Sequence, residues 1–211
     1  MNEAADPLAR ILTPVPSAKP SAAKRIAEIR ANMPQAADLI LLGDSLATGW
    51  PPDLFGVAFP GRRVLNLGLP GDRIQNTLWR LDMIEVGHLR PRELVLLLGT
   101  NNLGDGDPPH AIADGMAAVL RRARDLWGNP RPITVTVPRR GTREGFREEE
   151  RLALNARLSE KLNAFTCSVL VDADSALAEA AGEAPSLDHD LLHLSRAGYA
   201  RLSAATNLVL A

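Results

Sequence analysis

Two kinds of hydrophobic pattern alternate along this chain. Leu39-Ile40-Leu41-Leu42 and Leu94-Val95-Leu96-Leu97-Leu98 are continuous apolar runs, the pattern of strands buried on both faces of a parallel sheet. Shorter β-rich runs at 64–66, 133–137 and 168–171 predict three further strands. Between the runs, apolar residues recur every three or four positions. Ala22, Ile26, Ile29 and Met33 predict a helix from Ser21 that Pro34 closes. Ile74, Leu78, Leu81 and Glu85 predict a second, and Ile112, Met116, Val119, Leu120 and Ala123 a third that starts at Pro109. A long helix is expected to end near Ala164, and a short Ala-rich one near 176–181, before Gly182. A last helix, N-capped by Ser195, presents Leu202, Ala205 and Val209. Strand and helix alternate throughout, which predicts an α/β, three-layer, doubly wound domain with a parallel sheet of about five strands. Residues 1–20 hold Pro7, Pro14 and Pro16 and read as an irregular extension, leaving 21–211 as a single domain.

Composition narrows the partners. The 211 residues carry a formal net charge of -1, so no global attraction to nucleic acid or an anionic membrane is expected. No apolar stretch reaches the length of a membrane span, and the N-terminus lacks the basic start and apolar core of a secretory signal. The expectation is a soluble cytoplasmic protein without stable membrane insertion. The single cysteine, Cys167, excludes an intrachain disulfide and suits a reducing compartment. Its place before a strand suggests a buried, inert thiol. His88 and His110 read as surface residues, and Trp50 and Trp79 as packing residues near the site.

The candidate chemistry sits where the predicted strands end. Leu39 to Leu42 stops at Gly43-Asp44-Ser45-Leu46, which places Ser45 at a carboxyl edge, where open α/β sheets bind ligands. A serine hydroxyl attacks only if a base takes its proton. His193 can be that base, and Asp190, earlier in Asp190-Leu191-Leu192-His193, can hold its imidazole in one tautomer. The Ser45 and Gly71 backbone N–H groups and the Asn101 side-chain amide are candidate oxyanion donors, each typically worth about 3–4 kcal/mol in the transition state. Asn66 to Asp72 carries only a G-x-x-G spacing, so a dinucleotide loop is disfavoured and no cofactor is expected. Gly43 to Ala47 lacks the second glycine of a G-x-S-x-G elbow, which excludes the usual α/β-hydrolase fold.

Gly43-Asp44-Ser45-Leu46, Gly71-Asp72, Gly99-Thr100-Asn101-Asn102 and Asp190-Leu191-Leu192-His193-Leu194, in that order, resemble the four blocks of the GDSL, or SGNH, hydrolase family. The resemblance runs from about Leu39 to the C-terminus. It is nearest to the catalytic subunits of intracellular platelet-activating-factor acetylhydrolase, through Asn66 to Gly71, Leu78-Trp79-Arg80-Leu81, Arg90-Pro91, Pro138-Arg139, Asp172-Ala173-Asp174, His193-Leu194-Ser195 and Gly198-Tyr199. It implies a flavodoxin-like sheet and a metal-free serine esterase acting on short acyl esters of lipids or sugars. Ser45 would be nucleophile, Asp190 and His193 would complete the triad, and a homodimer is implied. Leu46, Thr100, Asn102 and Leu192 are then expected to contact substrate, and Ala47, Thr48 and Gly49 to line the acyl pocket. Pro70 stands where that branch has glycine, which stiffens the backbone beside Gly71.

Other readings compete. A carbohydrate O-acetylesterase or a thioesterase would use the same residues. A metal-dependent hydrolase would need His189 and His193 with Asp188 and Asp190, but no further histidine or thiolate cluster completes a shell. A non-catalytic binding domain would keep the fold without turnover. The arginines at 139, 140, 143, 147 and 151 interleave with Glu144 and Glu148 to Glu150, which favours a solvated face of paired charges over an anion grip.

Overall fold

The computed structural model describes residues 6–141 and 147–210. The expected irregular stretch at 1–5, and Arg143 and Glu144, lie outside the described residues. The strands are β1 (Leu39–Gly43), β2 (Val64–Asn66), β3 (Glu93–Leu97), β4 (Arg131–Val135) and β5 (Val169–Val171). They form one parallel sheet in the order β2-β1-β3-β4-β5. β1 is paired on both sides, with Leu39 opposite Val64 and Glu93, and Gly43 opposite Leu97. The direction of strand addition reverses at β1, so the crevice beyond the β1 and β3 carboxyl ends is the fold's natural ligand site.

Alternation along the central strands feeds two cores. Ile40, Leu42, Leu94 and Leu96 join one buried cluster, whereas Leu39, Leu41, Val95 and Leu97 join the other. The first is covered by α1 (Pro7–Leu12), α2 (Pro20–Ala31), α5 (Ile74–Met83), α7 (Pro109–Trp127) and α8 (Glu148–Leu162). The second is covered by α3 (Ser45–Thr48), α4 (Phe55–Ala58), α9 (Ala173–Ala176) and α10 (Arg196–Leu210). A short α6 (Thr100–Gly104) follows β3. Among the described residues no helix is long and apolar enough to cross a membrane.

Four expectations are corrected. Residues 7–12 are a helix, because Pro7 occupies its first turn, where a missing N–H costs nothing, and the Asp6 carboxylate accepts from Leu8 N–H. Its Ile11 is fully buried against α7, so this part of the N-terminal stretch belongs to the core. The helix expected near 176–181 lies earlier, at α9, where Asp172 caps Asp174 N–H and accepts from Ser175 Oγ. The second helix stops at Met83, leaving Glu85 outside it. Cys167 is exposed rather than buried, since it sits at a left-handed turn (φ +57°) that lifts it off the sheet before β5 begins.

Candidate active site

Ser45 opens α3 immediately beyond β1. Gly43 lets β1 pass so close to β3 that a side chain there would overlap the Leu97 carbonyl. Asp44 then N-caps α3, accepting from Leu46 N–H at 2.9 Å, and the turn leaves Ser45 half-buried at the sheet edge. The base arrives on a separate hairpin-like loop. Leu187 and Leu194 form an isolated antiparallel bridge, and Asp188 N–H donates to the His193 carbonyl at 2.8 Å. That closure, with Leu191 in a left-handed conformation (φ +58°), folds Asp190 back under His193.

The three side chains meet in line. His193 Nε2 lies 2.9 Å from Ser45 Oγ, and His193 Nδ1 lies 2.5 Å from Asp190 Oδ2. The carboxylate can only accept, so Nδ1 carries the proton and Nε2 is left to accept from the serine hydroxyl. Asp190 Oδ1 accepts from the Leu192 and His193 N–H groups, each at 2.9 Å. The bond from the His193 ring and these two N–H groups hold the Asp190 carboxyl well below the usual carboxylate range. Asp188 points elsewhere and accepts from His189 N–H and His189 Nδ1.

The other two loops are tied to the end of β1 and to each other by hydrogen bonds. Beyond β2 the ladder continues, with Leu67 N–H to Leu41 O at 2.7 Å and Leu69 N–H to Gly43 O at 3.0 Å. Gly71, in a left-handed conformation (φ +71°), follows two residues beyond this last ladder bond. Asn101, in the first turn of α6, donates Nδ2 to the Asp72 carbonyl at 2.9 Å, which locks its amide beside the Gly71-Asp72 backbone.

Leu46 and Thr100 line a small recess with Leu97, Val135 and Pro138. Leu192 is half-buried on the base loop. Asn102 is not available as a substrate contact. It is fully buried, and its amide is used by Ile74 N–H, Gln75 and Asp107. Ala47 likewise belongs to the core, and the space above Gly49 is filled by the Tyr199 hydroxyl, which donates to Leu46 O at 2.9 Å. Trp50 is buried against Phe59 and Tyr199. Trp79 is half-buried, and His88 and His110 are exposed.

His189 is solvent-facing, and both His193 nitrogens are engaged by Ser45 and Asp190. Among the described residues no group of His, Cys, Asp and Glu is placed to hold a metal ion. The charge pairing expected of the arginine segment is present among the described residues, Arg147 with Glu150 and Arg151 with Glu148, but the segment is not all solvated. Arg151 is buried, bonded to Glu148, Asp174 and the Val137 carbonyl. Arg140 donates to both the carbonyl and the hydroxyl of Thr100, and Gly141 N–H donates to Leu191 O at 2.8 Å. The loop after β4 therefore ties the Asn101 helix to the base loop.

Sequence reasoning did not find the buried pair beneath the site. Asp72 Oδ2 accepts from Arg80 Nε and Thr77 Oγ1, each at 2.8 Å, and Arg80 Nη2 reaches Gly43 O. Only the helical register of Asp72 and Arg80 around the start of α5 signals it, and that register fits many surface pairs equally.

This arrangement sets Ser45, His193 and Asp190 in hydrogen-bond contact at the switch point of a parallel α/β sheet. Residues 41–201 match the family model of the GDSL-like Lipase/Acylhydrolase family, and the chain belongs to that family. It is 28% identical over 175 residues to the platelet-activating factor acetylhydrolase IB subunit alpha1 of Pongo abelii, covering 82% of this chain and 75% of that protein. It is 25% identical over 167 residues to the alpha2 subunit of Homo sapiens, covering 78% and 72%. Among solved structures, a GDSL-like lipase from Bacteroides thetaiotaomicron superposes with a TM-score of 0.69 at 19% identity, covering 89% of this chain and 96% of that one. Est24, a carbohydrate acetylesterase from Sinorhizobium meliloti, superposes with a TM-score of 0.67 at 17% identity, covering 82% and 97%.

Proposed function

We propose that this protein is a serine esterase that hydrolyses short-chain, acetyl-type carboxylic esters through an acyl-enzyme. The observation that carries the reading is the continuous relay from Ser45 Oγ through His193 to Asp190. Ser45 Oγ attacks the ester carbonyl carbon while its proton passes to His193 Nε2. Asp190 accepts from the imidazolium that forms. The carbonyl oxygen becomes an oxyanion, for which we assign the Ser45 and Gly71 N–H groups and Asn101 Nδ2 as donors. Asn101 uses one amide hydrogen on Asp72 O and keeps the second for this purpose. Collapse breaks the ester C–O bond, and the departing alcohol takes the proton from His193. Water then attacks the acyl-Ser45 with His193 as base, releasing the acid and restoring the serine.

Relatives named as acetylhydrolases support a small acyl group, as does the filling of the space around α3 by Tyr199 and Trp50. The carbohydrate acetylesterase among the structural neighbours keeps a sugar ester as the second reading of the leaving group. We extend the proposal to a cytoplasmic enzyme acting without metal, and to a homodimer by likeness to the acetylhydrolase subunits. The test is turnover of 4-nitrophenyl esters from acetyl to octanoyl by wild type and Ser45→Ala, each with and without chelator. The expected profile peaks at acetyl or propionyl, ignores chelator and vanishes in Ser45→Ala. Turnover that survives Ser45→Ala but not chelator would overturn the mechanism.

A further inference from the structure

Lys19 lies on the segment between α1 and α2, and its side chain runs across Gly71. A Cβ built on Gly71 would fall 2.8 Å from Lys19 Cε and 3.0 Å from Lys19 Cδ, with Nζ nearer still. The placement is not that of a loose tail. On one side, Val15 N–H donates to Gln75 O at 3.2 Å and Asn76 Nδ2 donates to Val15 O at 3.0 Å. On the other, the Lys19 carbonyl accepts from Ala22 N–H at 3.0 Å, Ala22 is buried, and Arg25 donates to Asn66 O at 3.0 Å. The lysine backbone is thus pinned between two anchors, both on the 66–76 stretch that carries Gly71.

The charge at its end has no internal use. Lys161 pairs with Asp114, whereas Lys19 makes no ion pair among the described residues. Asp105 pairs with Arg73, Asp190 with His193 and Asp72 with Arg80, and Asp44 is wholly buried, so none of these carboxylates takes up the Lys19 charge. Lys19 is exposed, so its ammonium stays hydrated and bears little desolvation cost. An ammonium on a flexible stem is a point charge suited to an anionic oxygen of loosely fixed geometry.

We propose that Lys19 is a recognition cation for an anionic group, phosphate or carboxylate, carried by the ester substrate. The proposal rests on the esterase reading and adds the charge of the substrate to it. A neutral ester leaves the ammonium in water and gains nothing from it, whereas a charged one gains an ion pair beside the candidate oxyanion donor Gly71.

The test compares wild type, Lys19→Met and Lys19→Arg on three acyl esters. These are neutral 4-nitrophenyl acetate, mono-4-nitrophenyl succinate with its charge on the acyl side, and 5-acetoxy-2-nitrobenzoate with its charge on the leaving group. The expected result is that the kcat/KM ratio of one charged ester to the neutral one falls about fivefold in Lys19→Met, the size of an exposed ion pair. Lys19→Arg restores it, and high salt removes the difference. The charged ester that responds locates the anion. An unchanged ratio, or equal losses on neutral and charged esters, overturns the proposal. A second readout separates it from the esterase reading: NMR titration of phenyl phosphate into Ser45→Ala and Ser45→Ala/Lys19→Met. Binding that needs Lys19 upholds the cation site even if no ester is turned over, and binding indifferent to Lys19 sinks it.

Discussion

Asp188 and Asp190 flank His189, yet the chain hands them different tasks. Asp190 turns both oxygens inward, one to the His193 ring and one to two backbone N–H groups, while Asp188 holds His189 at the surface. Asp190→Asn would present an amide that can donate to Nδ1 and favour the wrong tautomer. Its kcat is expected to fall by about 10³-fold or more, whereas Asp188→Asn stays within a few-fold. Steady-state kinetics on a 4-nitrophenyl ester checks the ranking, and the reverse order would move the triad to Asp188. The same scale shows why Asn102 misleads. Its neighbour Asn101 is half-buried and donates to the Asp72 carbonyl, but one residue further around α6 the side chain enters the core and is consumed by Ile74, Gln75 and Asp107.

At the scale of elements, α1 changes the boundary of the domain. Ile11 is fully buried and packs against Gly115 of α7, where a side chain in place of the glycine would collide with it. Ile11→Ala is therefore expected to cost about 2–5 kcal/mol, read as a lower urea midpoint with unchanged m-value. A change near zero would return residues 7–12 to the status of an appendage. The central strands were legible in the sequence because β1 and β3 are buried on both faces and so read as unbroken apolar runs. α7 was legible because Pro109 starts it and Ile112, Met116, Val119, Leu120 and Ala123 recur at helical spacing. α1 was not, because its Pro7 reads as a breaker until its place in the first turn is known. The contact of Ser45, His193 and Asp190 was legible because Ser45 follows a strand end and the other two share one recognisable block. Tyr199 over Gly49 and Lys19 over Gly71 depend on long-range packing that no local pattern encodes.

For the whole molecule, the buried carboxyl beneath the nucleophile couples protonation to stability. Burial, reinforced by the Asp72 charge, raises Asp44 to about 7 despite its bond from Leu46 N–H. Its Oδ2 has no protein hydrogen-bond partner among the described residues, which leaves that oxygen to carry the proton. Unfolded, the same group titrates near pH 4. Between roughly pH 4 and pH 7 the folded chain holds a proton that the unfolded chain has lost. Asp44 thus contributes stability that is complete at low pH, declines by up to roughly 1.4 kcal/mol per pH unit across that window, and levels off above about pH 7. Asp44→Asn keeps an acceptor for Leu46 N–H and removes the titration. Its stability relative to wild type, from urea unfolding at about pH 5 and about pH 8, is expected to rise with pH. A parallel pair of pH profiles would contradict this.

The measurement that bears most directly on the central claim is covalent capture of the nucleophile. The protein is treated with a fluorophosphonate and digested, and the peptides are mapped by mass spectrometry. The account predicts one adduct, on the Ser45 hydroxyl, that is absent from Ser45→Ala and slow to form in His193→Ala. An unmodified Ser45 in a preparation that hydrolyses esters, or an adduct on another residue, would contradict it.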